Sequence, residues 1–202
     1  MRTIIAILFV TSLIQGVTAQ EFQKYPFKSG MIEYKTEGQT SGTRLMYWEK
    51  NGYNEYAAEK SVTKMLGMQM ESSSYELSLG STTYTWEDDE GPIYKSENPV
   101  ADYFIEKETT SKELEQASIE MLKGLGFEKT GKGEVLGKKC DVWEGIGSKV
   151  WVWKGFSLKT EVNMLGMKIT ETAVKIETNV RVPASVFKVP ANREIVKSTE
   201  LY

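Results

Sequence analysis

The chain has 202 residues, 40% of them hydrophobic and 26% charged, with a formal net charge of −3. That suits one domain large enough to bury its own core without metal or disulfide staples. The basic residues are scattered among acidic ones, so bulk attraction to nucleic acid or to anionic lipid is not expected.

The first predicted element is an export signal. Met1-Arg2-Thr3 supplies a short positive region, Ile4 to Ile14 is apolar apart from Thr11 and Ser12, and Val17-Thr18-Ala19 places small residues at −3 and −1. This pattern predicts a secretory signal over 1–19, cut before Gln20, and a single β-rich domain over 20–202. The apolar run is too short to span roughly 30 Å of hydrocarbon as an anchor. Position 20 is Gln, so no lipid is expected there, and no later segment is apolar enough to cross a membrane. Cys140 is the only cysteine, which excludes an internal disulfide. No Asn-x-Ser/Thr sequon occurs, and a bacterial periplasm is the home this favours, with full secretion as the other outcome.

Residues 30–97 read as strands. Ile32, Tyr34 and Thr36 alternate with Glu33, Lys35 and Glu37, the pattern of a half-buried strand. Asn51-Gly52 separates two such runs, Thr43–Lys50 and Tyr53–Glu59, and signals a hairpin. Strands are expected near Thr63–Ser72, Tyr75–Leu79 and Thr82–Glu87, the last two joined across Gly80, before a turn at Asp88–Pro92. The period then changes. Asn98-Pro99 starts a helix with a capping side chain and a proline at the first helical position, placing Val100, Tyr103 and Phe104 on one face. Thr110 and Glu113 form a capping box for a second helix with an apolar stripe of Leu114, Ala117, Met121, Leu122 and Leu125, stopped by Gly124 and Gly126.

Strands return at Gly133–Trp143, Lys149–Lys154, Ser157–Asn163 and Lys168–Val182. Pro183 to Pro190 encloses a short turn anchored by Phe187, and the tail after Asn192 has weak patterning. Met65-Leu66-Gly67-Met68 recurs as Met164-Leu165-Gly166-Met167. The plain reading is two similar hairpin tips, and the sharper one is two apolar tips at the mouth of one cavity.

Candidate chemistry is sparse. Histidine is absent, which removes histidine-based triads and histidine-ligated zinc. Cys140 falls inside a strand pattern and is expected to be an inert packed thiol, despite Lys138 and Lys139 beside it. Glu87-Asp88-Asp89-Glu90 lacks the alternating ligand spacing of a calcium loop and reads as a solvated turn. No spacing singles out a glycosidase carboxylate pair, and no Gly-rich phosphate loop occurs. No catalytic residue, metal site or cofactor is predicted. The aromatic and methionine content is more suggestive: Trp151 and Trp153 share one side of a strand, Trp48 pairs with Met46 on another, and the chain after the signal keeps eight methionines. Methionine suits surfaces that accept varied apolar partners, but ordinary core filling plus tryptophan at an interface is the plainer account, and sugar binding by exposed tryptophans is a further reading.

About ten strands interrupted by one helical pair predict an α+β protein, mainly antiparallel β: a strongly curved sheet or unclosed β-barrel with a helical lid inserted mid-chain. Val135-Leu136-Gly137-Lys138-Lys139-Cys140, Val150-Trp151-Val152-Trp153-Lys154-Gly155 and Val182-Pro183-Ala184-Ser185-Val186-Phe187-Lys188-Val189-Pro190 carry a resemblance. With the strand–helix–strand order, the chain resembles the LolA/LolB-like and LppX-like superfamily of bacterial envelope carriers. The resemblance implies an unclosed barrel holding acyl chains under a helical lid. The expected function is then non-enzymatic binding or carriage of a lipid or other hydrophobic ligand between sheet and lid helices. The expected lining is Tyr34, Tyr47, Phe104, Met121, Leu122, Trp151 and Trp153. The alternative is an interaction module that binds an envelope protein partner and no ligand.

Overall fold

The structure is a computed structural model that describes residues 22–65, 67–88, 91–164 and 166–198, with only the backbone of Met65. The expected signal over 1–19 lies outside the described residues, as do Asp89 and Glu90 of the acidic turn.

The chain runs β1 (Gly30–Gly38), β2 (Thr40–Glu49), β3 (Asn54–Met65), β4 (Met68–Leu79), β5 (Thr82–Glu87) and β6 (Ile93–Glu97). Helices α1 (Pro99–Glu106) and α2 (Ser111–Gly124) follow, then β7 (Glu128–Val135), β8 (Lys138–Gly145), β9 (Ser148–Trp153), β10 (Phe156–Met164), β11 (Met167–Thr178) and β12 (Ile195–Lys197). All twelve strands belong to one sheet, ordered β12-β6-β5-β4-β3-β2-β1-β11-β10-β9-β8-β7. Its outer strands are β12 and β7, so among the described residues the barrel is not closed. Every pairing is antiparallel except the short one of β12 with β6. The seam between the two halves of the chain is β1 against β11, with a bulge at Glu33/Tyr34.

The helical pair is inserted mid-chain, and its caps follow the sequence signals. The Asn98 side chain accepts hydrogen bonds from the N–H groups of Val100 (3.1 Å) and Ala101 (3.0 Å). At α2, the Glu113 N–H donates to Thr110 Oγ1 (3.3 Å) while the Glu113 carboxylate accepts from the Thr110 N–H (2.8 Å). Neither helix has a buried residue, and of the apolar stripe of α2, Leu114, Ala117 and Leu122 are partly covered while Met121 and Leu125 are exposed.

Four expectations change. The strand expected over Lys168–Val182 ends at Thr178, and Val182 turns to pack on the second cluster instead. Gly133–Trp143 is two strands, split where Leu136 (φ 50°) and Gly137 (φ 71°) adopt the left-handed conformation of a tight hairpin. Thr63–Ser72 is likewise divided between β3 and β4. The weakly patterned tail forms β12, because Arg193 donates from Nε to the Gly91 carbonyl (2.7 Å) and the Ile93 N–H donates to the Glu194 carbonyl (2.8 Å). Backbone and guanidinium bonds of this kind leave no hydrophobic period to read.

Two apolar clusters form, on opposite faces of the sheet. The face carrying Ile32, Tyr34 and Trp48 packs with Phe156, Leu158, Ala173, Cys140 and Val135, and is covered by Tyr25 and Phe27 from the segment before β1. Tyr25 stacks on Phe156 at 4.0 Å and meets Trp48 edge-on at 5.7 Å, while Phe27 stacks on Trp153 at 5.3 Å. The Trp48 indole N–H donates to the Phe27 carbonyl (3.0 Å), and a Cβ on Gly30 would lie 2.3 Å from the Trp48 ring, so only glycine fits there. The other face carries Tyr47, Tyr56, Leu77, Tyr75, Trp86 and Ile93, and is covered by Val182, Val186, Phe187 and Val189. Phe187 is the expected anchor of that turn and is buried. The two ends of the chain, rather than the helices, therefore seal the two cores.

Candidate functional site

The seven expected lining residues do not converge. Tyr34, Trp151 and Trp153 belong to the cluster under Tyr25 and Phe27. Tyr47 pairs with Met31 on β1, while Tyr34 pairs with Arg44 on β2, so the two tyrosines project from opposite faces. Phe104 is half-buried on α1 against Tyr103 (ring centroids 5.5 Å apart), Leu122 is half-buried on α2, and Met121 is 63% exposed.

The space between helix and sheet is small and polar. The α1 cap Asn98, with Ala101 and Ile105 of α1, lines a pocket of about 160 Å³ with Glu55, Glu76, Ser78 and Thr83. Phe22 and Lys24 line it too, because the chain before β1 threads beneath the helices, where the Gln23 N–H donates to the Thr109 carbonyl (2.9 Å). Lys24 is paired with Glu55 at 2.7 Å. The expected greasy room under the lid is taken by this segment.

A larger concavity lies elsewhere, at the far ends of β1–β4. It holds about 1160 Å³, somewhat more than the roughly 300–1,000 Å³ of a usual ligand pocket, as suits an open groove. Its residues include Glu33, Lys35, Thr43, Leu45, Ala58, Lys60, Val62, Glu71, Ser73 and Val174. The register places these residues of β1–β4 on the face that carries Tyr47 and Leu77: Leu45 pairs with Ala58 and Glu33, Val62 with Glu71, and Lys60 with Ser73. Val174 enters beside them at the β1–β11 bulge and is 50% exposed. The groove thus continues the second core along the strands, past the point where the 182–189 segment stops covering it. Its lining is mainly apolar. Lys35 is paired with Glu37 (2.6 Å), whereas Lys60 has no ion-pair partner among the described residues.

The sequence carried part of this signal, since Leu45 and Tyr47, or Ala58 and Val62, share a parity. Which parity faced open space was set by cover segments that have no periodicity of their own.

The opposite face holds a contrasting polar arrangement. Arg44 stacks over the Tyr34 ring, its guanidinium carbon 4.2 Å from the centroid, and forks onto Glu171. Burial pushes the Tyr34 phenol up to about 12. The Tyr25 phenol is also raised, by burial and by the Glu55 carboxylate. Cys140 is buried, its thiol pushed up by that burial, with Sγ donating to the Lys138 carbonyl (3.3 Å). It is a packed thiol and not a poised nucleophile.

No family model and no curated protein sequence matches the chain. Solved structures do. An uncharacterized conserved protein from Thermus thermophilus is 6% identical over 85% of this chain and 91% of its own, with a TM-score of 0.54, which is a likeness of fold. PNGF-II is 10% identical over 84% of this chain and 31% of its own, with a TM-score of 0.42. MucB is 12% identical over 86% of this chain and 61% of its own, with a TM-score of 0.40. The chain therefore spans less than two thirds of either of the latter two.

Proposed function

We propose that this protein is a non-enzymatic binder of a lipid or other hydrophobic ligand, working in the bacterial periplasm after export. The observation that carries the reading is the groove over β1–β4, with its apolar floor of Leu45, Ala58, Val62 and Val174. An acyl chain laid along these residues removes apolar area from water on both partners, at about 25 cal/mol per Å² before the cost of association. Lys60 at the groove gives an anionic headgroup a partner. In this reading the ligand occupies this groove instead of the space between sheet and lid helices; of the expected residues Tyr34 borders it, and Tyr47 lies two residues from Leu45 on the same face.

Native mass spectrometry of protein purified without detergent tests the reading. Extra mass removed by organic solvent, and lost in Val62→Arg, is the expected result. Clean apo protein, with no thermal shift on adding fatty acids or phospholipids, overturns it and leaves the envelope interaction module in its place.

A further inference from the structure

The four hairpin turns after β1, β3, β8 and β10 stand along one edge of the sheet, because β4, β3, β2, β1, β11, β10, β9 and β8 are consecutive neighbours. Gly67 with Met68, and Gly166 with Met164 and Met167, stand at two of these turns, whose strands are fastened to the turn between them. The Gln39 N–H donates to the Lys168 carbonyl (3.3 Å), and the Gln39 carbonyl accepts from the Lys64 N–H (2.9 Å). The fourth turn joins the row where the Gly147 carbonyl accepts from the Asn163 N–H (2.7 Å).

The register puts Met68, Met70, Met164 and Met167 on a common face, in line with Thr63, Ile169 and Glu171. They are 59%, 51%, 41% and 44% exposed, and Ile146 at the fourth turn is 58% exposed. At about 4.8 Å per strand the row is roughly 30 Å long. Lys64 and Lys168 flank the two methionine turns at the same level but on the other face of the rim, and neither has an ion-pair partner among the described residues.

We propose that this edge docks on the surface of an anionic phospholipid bilayer, with the methionine tips and Ile146 inserted at the headgroup boundary and Lys64 and Lys168 against the phosphates. The shape of the row favours a fluid surface over a folded partner. Its members are separate flexible side chains spaced along protruding turns, and the row offers no free strand edge to extend. A bilayer accepts such tips one by one, and lysines at the same level supply the charge complementarity that binding to anionic lipid requires. The chain's net charge of −3 makes this a local attraction. The proposal does not need the groove to hold a ligand.

Sedimentation of the exported protein with phosphatidylcholine vesicles, with and without phosphatidylglycerol, tests it. Wild type should pellet with the anionic vesicles. Met68→Glu/Met167→Glu should partition about tenfold more weakly at an unchanged melting temperature, and Lys64→Glu/Lys168→Glu should lose the preference for phosphatidylglycerol. Val100→Glu, on exposed α1, should behave as wild type. As a second readout, Met68→Trp should shift its emission to the blue on adding vesicles. Wild type that stays in the supernatant, or a methionine double variant that pellets equally, overturns the proposal. Concentration-dependent self-association abolished by the same substitutions, without vesicle binding, overturns it in favour of a protein interface.

Discussion

Arg44 of β2 reaches across β1 to Glu171 of β11, its Nε donating to Oε1 at 2.8 Å and its Nη2 to Oε2 at 2.7 Å. The fork passes over the Tyr34 ring, so it clamps the seam between the two halves of the sheet. Both side chains are about three-quarters buried (27% and 24% exposed), deep enough for the pair to matter and for a lone partner to be costly. Arg44→Met and Glu171→Gln are each expected to lower stability by about 1–3 kcal/mol. The double variant should lose less than the sum, because removing both charges leaves none unpaired. Urea denaturation of the four proteins measures the coupling, and strict additivity would show that the fork contributes nothing.

Tyr34 sits beneath that fork and carries a pH signature. Its folded-state value of about 12 lies above the ordinary tyrosine value of 10.0. A raised acid holds its proton more tightly when folded, so its stabilising share is complete below pH 10. It is lost as pH rises from 10 towards 12, where the unfolded chain ionises first. Between pH 9 and pH 11, wild type should lose about 1 kcal/mol more than Tyr34→Phe. Equal losses measured by denaturant midpoint would place the phenol in a looser environment than its burial indicates.

The segment before β1 acts as a wedge. Tyr25 is buried between Phe156 and Trp48, and it closes the first core with Phe27. Tyr25→Ala is expected to destabilise by about 3–5 kcal/mol, the usual loss for deleting a packed ring. Phe187→Ala on the opposite face should cost a similar amount. Because the two rings belong to separate clusters on opposite faces, their effects should add within about 0.5 kcal/mol. A large non-additive term in thermal melts would mean that the cores communicate through the sheet.

The groove predicts a separation of binding from stability. Val62 and Leu45 are only half-buried, so Val62→Arg and Leu45→Glu should shift the melting temperature little while weakening uptake of a fluorescent fatty acid about tenfold or more. Trp153→Ala should do the reverse, since this ring packs into the first core and lies outside the groove. A fatty acid displaced by Trp153→Ala but not by Val62→Arg would return the site to the other face.

Local signals were legible wherever one residue's chemistry dictates its own neighbourhood. The capping of both helices by Asn98 and Thr110, the alternation of Ile32, Tyr34 and Thr36, and the hairpin at Gly80 are short-range effects, and the structure shows each of them. The curved, mainly antiparallel sheet with its mid-chain helical pair follows from them. What no local pattern contained was which face of each strand would be covered. Tyr34 and Tyr47 have the same strand-like surroundings in the sequence, yet one lies under Tyr25 and the other under Val182–Val189. Those covers are irregular segments whose aromatic and aliphatic anchors have no period, and they arrive from the two ends of the chain. Strand parity therefore came from the sequence, but the choice of buried side, and with it the place of the groove, came from long-range packing alone.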